Sequence, residues 1–243
     1  MDDPARPLFN NPLDLQTVDR ALSLIEAGPG GAILDVGCGR GEMLGRALER
    51  LPCRGIGADP KEDEIVHARR RLAPFGARAT LHACRVQEVP LSPGSLDAAL
   101  CIGASHAFGT GRDALPSALC ALSRLVRPDG LLLVGEGFWR RDPDPAYLEA
   151  AGIDAGELRP HAENVAFGER DGLLPLLAVT SSDTAWDLFE SAAWTAAEER
   201  LRAHPEDEKA AAHAERVRHW RSAYLRWGRT TMGFALYVFR NRR

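Results

Sequence analysis

Three glycines at alternate positions, Gly37, Gly39 and Gly41, follow an apolar run that contains an acid, Ala32-Ile33-Leu34-Asp35-Val36. The run has the character of a buried parallel strand. The glycines let the chain turn sharply and leave room for a ligand to approach the backbone. A helical pattern opens at Glu42, and its N-terminus would aim N–H groups into the same space. Strand, glycine turn and helix N-terminus together make the nucleotide-binding corner of a doubly wound α/β sheet. About 20 residues on, where such a sheet holds a ribose-binding carboxylate, stands Asp59. Later strand ends carry His106 and Glu136. Imidazole is suited to moving a proton near neutrality, and a carboxylate can orient it.

The glycine spacing separates the candidate ligands. A dinucleotide fingerprint needs G-x-G-x-x-G. Here the pattern is G-x-G-x-G, and Glu42 puts a charged side chain where helix and pyrophosphate should meet. A phosphate-binding loop is excluded because no G-K-[ST] follows. What fits is a ligand with a ribose and an adenine but no phosphate.

The segment resembles motif I of the class I S-adenosylmethionine (SAM) dependent methyltransferases, apolar–acid–x–G–x–G–x–G. The resemblance covers residues 15–140 well and 176–240 more loosely. It implies SAM as cofactor, with Gly37, Gly39 and Gly41 beneath its methionine and ribose parts and Asp59, followed by Pro60, accepting from the ribose hydroxyls. Asp35 would orient the glycine loop, meet the SAM ammonium, or simply cap its own loop. Backbone carbonyls at Cys101 and Ile102 would accept from the ammonium, with Cys101 itself a small buried residue. The family often carries an acid after the third strand to bind the adenine amino group, and this chain has Cys84-Arg85-Val86 there. Arginine cannot accept from an amine. Either the backbone of Arg85 and Val86 reads the base, or Gln87 or Glu88 reaches it, or Arg85 packs over the ring.

The elements that must position these residues are legible in outline. After a proline-rich lead-in over 1–12, Leu15, Val18, Leu22 and Ile25 recur at helical spacing, predicting a helix over 14–27. Strands follow at 32–36, 55–59, 80–84, 96–102 and 131–136. Helices over 41–51, from Pro60, and over 112–126 alternate with them, and Pro128-Asp129-Gly130 reads as a turn. Alternation means a parallel sheet with right-handed crossovers. The resemblance adds a sixth strand, at 176–181, and an antiparallel seventh, at 233–239. The expected fold is therefore a single α/β domain over 1–243, a doubly wound, seven-stranded, mostly parallel sheet of Rossmann-like methyltransferase type. Residues 1–30 would form an N-terminal lid helix, and 183–228, broken near His204-Pro205, a helical insertion and second lid.

With a net charge of −4 the 243-residue chain has no global attraction for nucleic acid or anionic lipid. No run of about 18 apolar residues predicts a membrane span. The first residues lack the basic and apolar regions of a signal peptide. Five scattered cysteines without a C-x-x-C suit a reducing cytoplasm rather than disulfides or zinc, and the histidines show no metal-ligand spacing. Cytoplasmic localisation and no metal are the expectation.

Methyl transfer from a sulfonium is a direct displacement that needs few catalytic side chains, so the acceptor is less legible than the cofactor. His106, just after the fourth strand, is the candidate general base or acceptor-loop histidine. Glu136 would orient His106, bind an amine, or pair with Arg140. Four of the five tryptophans fall in the insertion, where Trp186, Phe189, Ala193 and Ala197 form one helical stripe and Val217, Trp220, Tyr224 and Trp227 another. Stripes of this kind usually build core. Trp194 lies off its stripe, and with Trp139 and Tyr224 it is a candidate wall for a planar or aromatic small-molecule acceptor. An N-P-P-Y type motif of base methyltransferases is absent, since Cys101-Ile102-Gly103-Ala104 holds its place. Two rivals are a SAM-binding sensor or scaffold without turnover, and a nicotinamide-dependent reductase on the same sheet.

Overall fold

The computed structural model describes residues 7–243, so residues 1–6 of the lead-in lie outside it. Seven strands form one sheet: β1 (Ala32–Val36), β2 (Arg54–Ala58), β3 (Ala79–His82), β4 (Leu96–Ile102), β5 (Val126–Trp139), β6 (Leu173–Thr180) and β7 (Met232–Asn241). Their spatial order is β3-β2-β1-β4-β5-β7-β6. The first five strands pair in parallel, and β7 runs antiparallel between β5 and β6. All five residues of β1 are buried, as a central strand covered on both faces requires.

Alternate residues feed two cores. On one face Ile33, Leu100, Leu133 and Val238 pack with Val18 and Leu22 of α1 (Leu15–Leu22) and Leu44 and Leu48 of α2 (Glu42–Arg50). Trp186 of α7 (Asp183–Ala203) joins that face, as does Tyr224. On the other, Leu34, Ala99, Leu132 and Phe239 pack with Leu115, Leu119 and Leu122 of α4 (Ala114–Leu125). Between α2 and α4 in the chain lies α3 (Glu62–Leu72), and between β5 and β6 lie α5 (Pro145–Ala151) and α6 (His161–Arg170). A third cluster joins Trp139 and Tyr147 of α5 to Ala223 at the end of α8 (Glu208–Ala223).

Several boundaries differ from the sequence expectation, each for a local reason. The N-terminal helix stops at Leu22, because the Ser23 hydroxyl turns back to the Arg20 carbonyl. Pro60 does not open α3: the Asp59 carboxylate accepts from the Lys61 N–H, and the helix starts at Glu62. Pro128-Asp129-Gly130 lies inside β5 as an irregularity, with Asp129 at φ 64° and the β4 register jumping from Leu96↔Val126 to Ala98↔Leu131. At its other end β5 runs on to Trp139, because β7 supplies a partner there, Met232. Glu136 and Trp139 are thus strand residues rather than the end of the strand and a residue beyond it. The insertion breaks at His204, the cap of α7, and Asp207 caps α8 through the Lys209 N–H. Tyr224–Gly228 continue α8 as a π-helical turn.

Candidate active site

At the carboxyl ends of β1, β2 and β4 a cavity of about 900 Å³ opens, the crevice expected at the switch point of a doubly wound sheet. Its volume lies toward the upper end of the roughly 300–1,000 Å³ usual for ligand pockets. The floor is the turn after β1. Gly37 and Cys38 donate their N–H groups to the Ala58 carbonyl at 2.8 and 3.2 Å, which pins the turn to β2. Gly39, at φ +49°, has open space where a side chain would stand, so the cavity reaches its backbone. Gly41 is glycine for another reason. It caps α2 at φ +76°, and a Cβ would press on Leu72 and Ala68 at 3.0 and 3.3 Å. It does not line the cavity, which corrects its placement beneath a ligand.

Two acids face this space. Asp59, 8 % exposed, accepts from the Gly39 N–H at 3.0 Å through Oδ2 and from the Lys61 N–H at 2.9 Å through Oδ1. Each carboxylate oxygen has a second lone pair, so the group can still take two hydroxyl protons. Asp35, 3 % exposed, leaves its Oδ2 without a hydrogen-bond partner. Burial, and then the charge of Asp59, push its carboxyl up to about 7, against the pull of the Leu44 N–H. A buried acceptor without a donor is costly unless a ligand supplies one.

Pro60, Arg85, Val86 and Gln87 line the cavity, as do Ile102, Gly103, Ala104 and His106, and Gln87 Nε2 donates to the Ala107 carbonyl of the same turn at 2.7 Å. His106 is exposed and sits on a 3₁₀ turn, Ser105–Ala107, after β4. The lead-in residues Pro7–Asn11 complete the wall together with Met43. Sequence reasoning assigned the N-terminal cover to the helix; α1 instead buries Val18, Ala21 and Leu22 in the core, and the segment before it reaches the site. The signal was there in the apolar Leu8-Phe9 pair among the prolines, and Phe9 is anchored at 5 % exposure beneath Arg46.

Other candidate residues are placed elsewhere. Cys101 is fully buried against the α4 side of the sheet, and burial pushes its thiol well above the ordinary range. Glu136 does not line the cavity. It is held by the Gly137 N–H at 3.2 Å, its Oε2 has no partner, and burial raises its carboxyl against the opposing influence of Ser105 and His106. Arg140 pairs with Asp183 at 2.8 Å, not with Glu136. Trp139 spends its Nε1–H on the Ala155 carbonyl at 2.8 Å. Tyr224, 1 % exposed, donates to Asp187 at 2.7 Å. Trp194 packs edge-on against Tyr224, with its Nε1 buried and unpartnered. None of these three aromatic residues is among the cavity's lining residues, because their faces are consumed in helix packing. Glu190, which no sequence signal singled out, sits buried between the indole N–H groups of Trp186 at 3.3 Å and Trp220 at 2.7 Å.

The sheet order and the glycine corner are those of a doubly wound α/β fold, and the comparisons agree with that fold. Residues 33–130 match a family model described as a methyltransferase domain. Over that segment, which holds the glycine corner and β1, β2, β3 and β4, the chain is similar to methyltransferases. It is 26 % identical over 215 residues to the uncharacterized protein YjhP of Escherichia coli, covering 86 % of this chain and 84 % of that one. The crystal structure of YjhP matches at a TM-score of 0.83, 24 % identity, and 97 % and 96 % coverage of the two chains. A SAM-dependent methyltransferase from Thiobacillus denitrificans, solved with S-adenosyl-L-homocysteine, matches at a TM-score of 0.83 and 24 % identity, covering 98 % of this chain and 99 % of that one. At this identity the structural likeness establishes the fold. No helix among the described residues is long and apolar enough to cross a membrane.

Proposed function

We propose that this chain transfers a methyl group from SAM to a small-molecule acceptor, with His106 as general base and Glu136 as the residue behind it. The observation that carries the reading is the cavity lined together by Asp59, the open backbone of Gly39 and Asp35, whose buried Oδ2 has no partner. A methionyl ammonium would supply the missing donor, and a ribose diol would match the remaining lone pairs of Asp59. Glu42 argues against a dinucleotide: it opens α2 at the pyrophosphate position and pairs with Arg46 at 2.8 Å and with Arg71.

When bound, SAM supplies an electrophilic methyl carbon with a neutral thioether as leaving group. The chain then has to bind, align and exclude water. Asp59 and Asp35 hold the donor by its two polar ends, and the walls at Ile102 and Gly103 position it between them. Leu8, Phe9, Met43 and Ile102 form an apolar side of the cavity suited to a small apolar or aromatic acceptor. His106, exposed in the same cavity, can take the acceptor proton through its imidazole. Glu136 lies close enough to His106 for the two groups to interact electrostatically.

Calorimetry with S-adenosylhomocysteine (SAH) and NAD tests the cofactor assignment; tight NAD binding with none of SAH would overturn it. Release of SAH from SAM with a panel of small hydroxyl, amine, thiol and carbon acceptors tests turnover. Binding without turnover across that panel would favour a sensor or scaffold.

A further inference from the structure

Among the described residues β6 pairs with β7 alone, so its other edge ends the sheet. Such an edge presents unpaired backbone N–H and C=O groups, a template for a further strand. Alternation tells which groups these are. Ser181 donates its N–H to the Phe234 carbonyl, so Val179 and Leu177 also turn toward β7, and Ala178 and Thr180 turn outward. Ala178 and Thr180 are exposed, and Leu176 beside them is 37 % exposed. Natural edges are blunted by charges, prolines or bulges. β6 has its proline and its register shift at Pro175–Leu177, and no charged side chain from Leu173 to Thr180. The half after the shift is bare. Next to it, Leu177 and Val179 line a groove against α1 with Gln16, Thr17, Asp19 and Arg20.

We propose that this edge docks a second copy of the chain, β6 pairing antiparallel with the second copy's β6 about a two-fold axis at Ala178. That register complements itself. Ala178 meets the second copy's Ala178, and their outward groups exchange two hydrogen bonds. Leu177 meets Val179 and Val179 meets Leu177 on the groove face, which joins the two grooves into one apolar strip. No like charges fall opposite each other within the strands. The charged residues of the groove, Asp19 and Arg20, are opposite in sign, so two copies meet there without net repulsion. A foreign strand would find no charge in β6 to set its direction, whereas the two-fold sets it for a second copy.

Sedimentation velocity on the full-length protein, from micromolar to near-millimolar concentration, tests this. The wild type should form a dimer. Ala178→Pro removes both central bonds and is tolerated at an outward-facing edge position, so dimerisation should weaken by at least about tenfold. Ala178→Lys sets two ammonium groups face to face and should do the same, with the circular dichroism spectrum of both variants unchanged. Across a hydrogen-bonded pair the Cα atoms lie about 5.5 Å apart, within the roughly 4.4–6.8 Å that a disulfide spans. Ala178→Cys should therefore give a disulfide-linked dimer on mild oxidation, and the wild type and Thr180→Cys should not. A wild type that stays monomeric throughout would overturn the proposal and leave the edge to a foreign strand. A dimer that survives both Ala178→Pro and Ala178→Lys would overturn it by placing the interface on another face. A dimer lost in both variants but never linked through Ala178→Cys would overturn the register.

Discussion

The cavity at the carboxyl ends of β1, β2 and β4 and the helical insertion over α7 and α8 both bury acids, and they treat them oppositely. In the insertion the buried Glu190 has both oxygens on indole N–H groups, and the half-exposed Asp187 is clasped by Arg229 and Tyr224. In the cavity Asp35 keeps an oxygen without a donor. Satisfied buried polar groups clamp helices together; an unsatisfied one stores a cost that a ligand can relieve. Between these acids the difference tells scaffold from site, although Glu136 Oε2 and Trp194 Nε1 are also buried without a partner outside the cavity. By residue type alone, the aromatic-rich insertion looks the more chemical of the two.

The comparison can be broken first at Asp35. Its folded-state carboxyl lies near 7 against an ordinary 3.8, so it contributes stability at low pH that is lost as pH rises through about 7. Asp35→Asn should therefore stabilise the ligand-free protein at pH 8 by up to about 4 kcal/mol relative to its effect at pH 3 to 4, read from urea melts. The same ionisation should strengthen SAH binding to the wild type between pH 6 and 8, and the variant should show no such rise. A pH-independent stability difference would mean that the oxygen is not the stored cost described.

His106→Ala comes next. We expect turnover to fall by about a hundredfold with SAH affinity unchanged, the signature of proton transfer without a binding role. On the scaffold side, Glu190→Leu should lower stability by about 2 kcal/mol, because two indole N–H groups lose their partner, and should leave SAH affinity alone. A large loss of affinity there would erase the division between the regions. Asp59→Ala should weaken SAH by more than about 1.5 kcal/mol in calorimetry. The smallest effect is optical. Since none of the tryptophans lines the cavity, SAH should leave tryptophan emission nearly unchanged. A strong quench in a single-tryptophan Trp194 variant would return the insertion to the site.

Much of this was legible in the residues. Apolar runs such as 96–102 coincide with their strand because a strand buried on both faces needs no polar alternation. Asp59 was legible because the distance from a glycine turn to the end of the next strand is set by one helix and its connections. The limits of β5 were not, since Pro128-Asp129-Gly130 is a turn in most contexts and becomes a bulge only beside Leu96 and Ala98. Nor was the fate of the aromatic residues. Trp139, Trp194 and Tyr224 have the composition of a pocket, and only their partners Ala155, Tyr224 and Asp187 show that their faces are spent.

By itself, then, the sequence determined the nucleotide corner, the parallel strands that follow from alternation, and the kind of ligand its glycine spacing admits. These are local properties of spacing and backbone conformation. The tertiary structure decided which glycine touches the cavity and which touches α3, which acid is left without a donor, and that the lead-in before α1 rather than the helix walls the site. Each of those depends on what distant segments bring within a few ångströms, and a linear pattern carries no record of that.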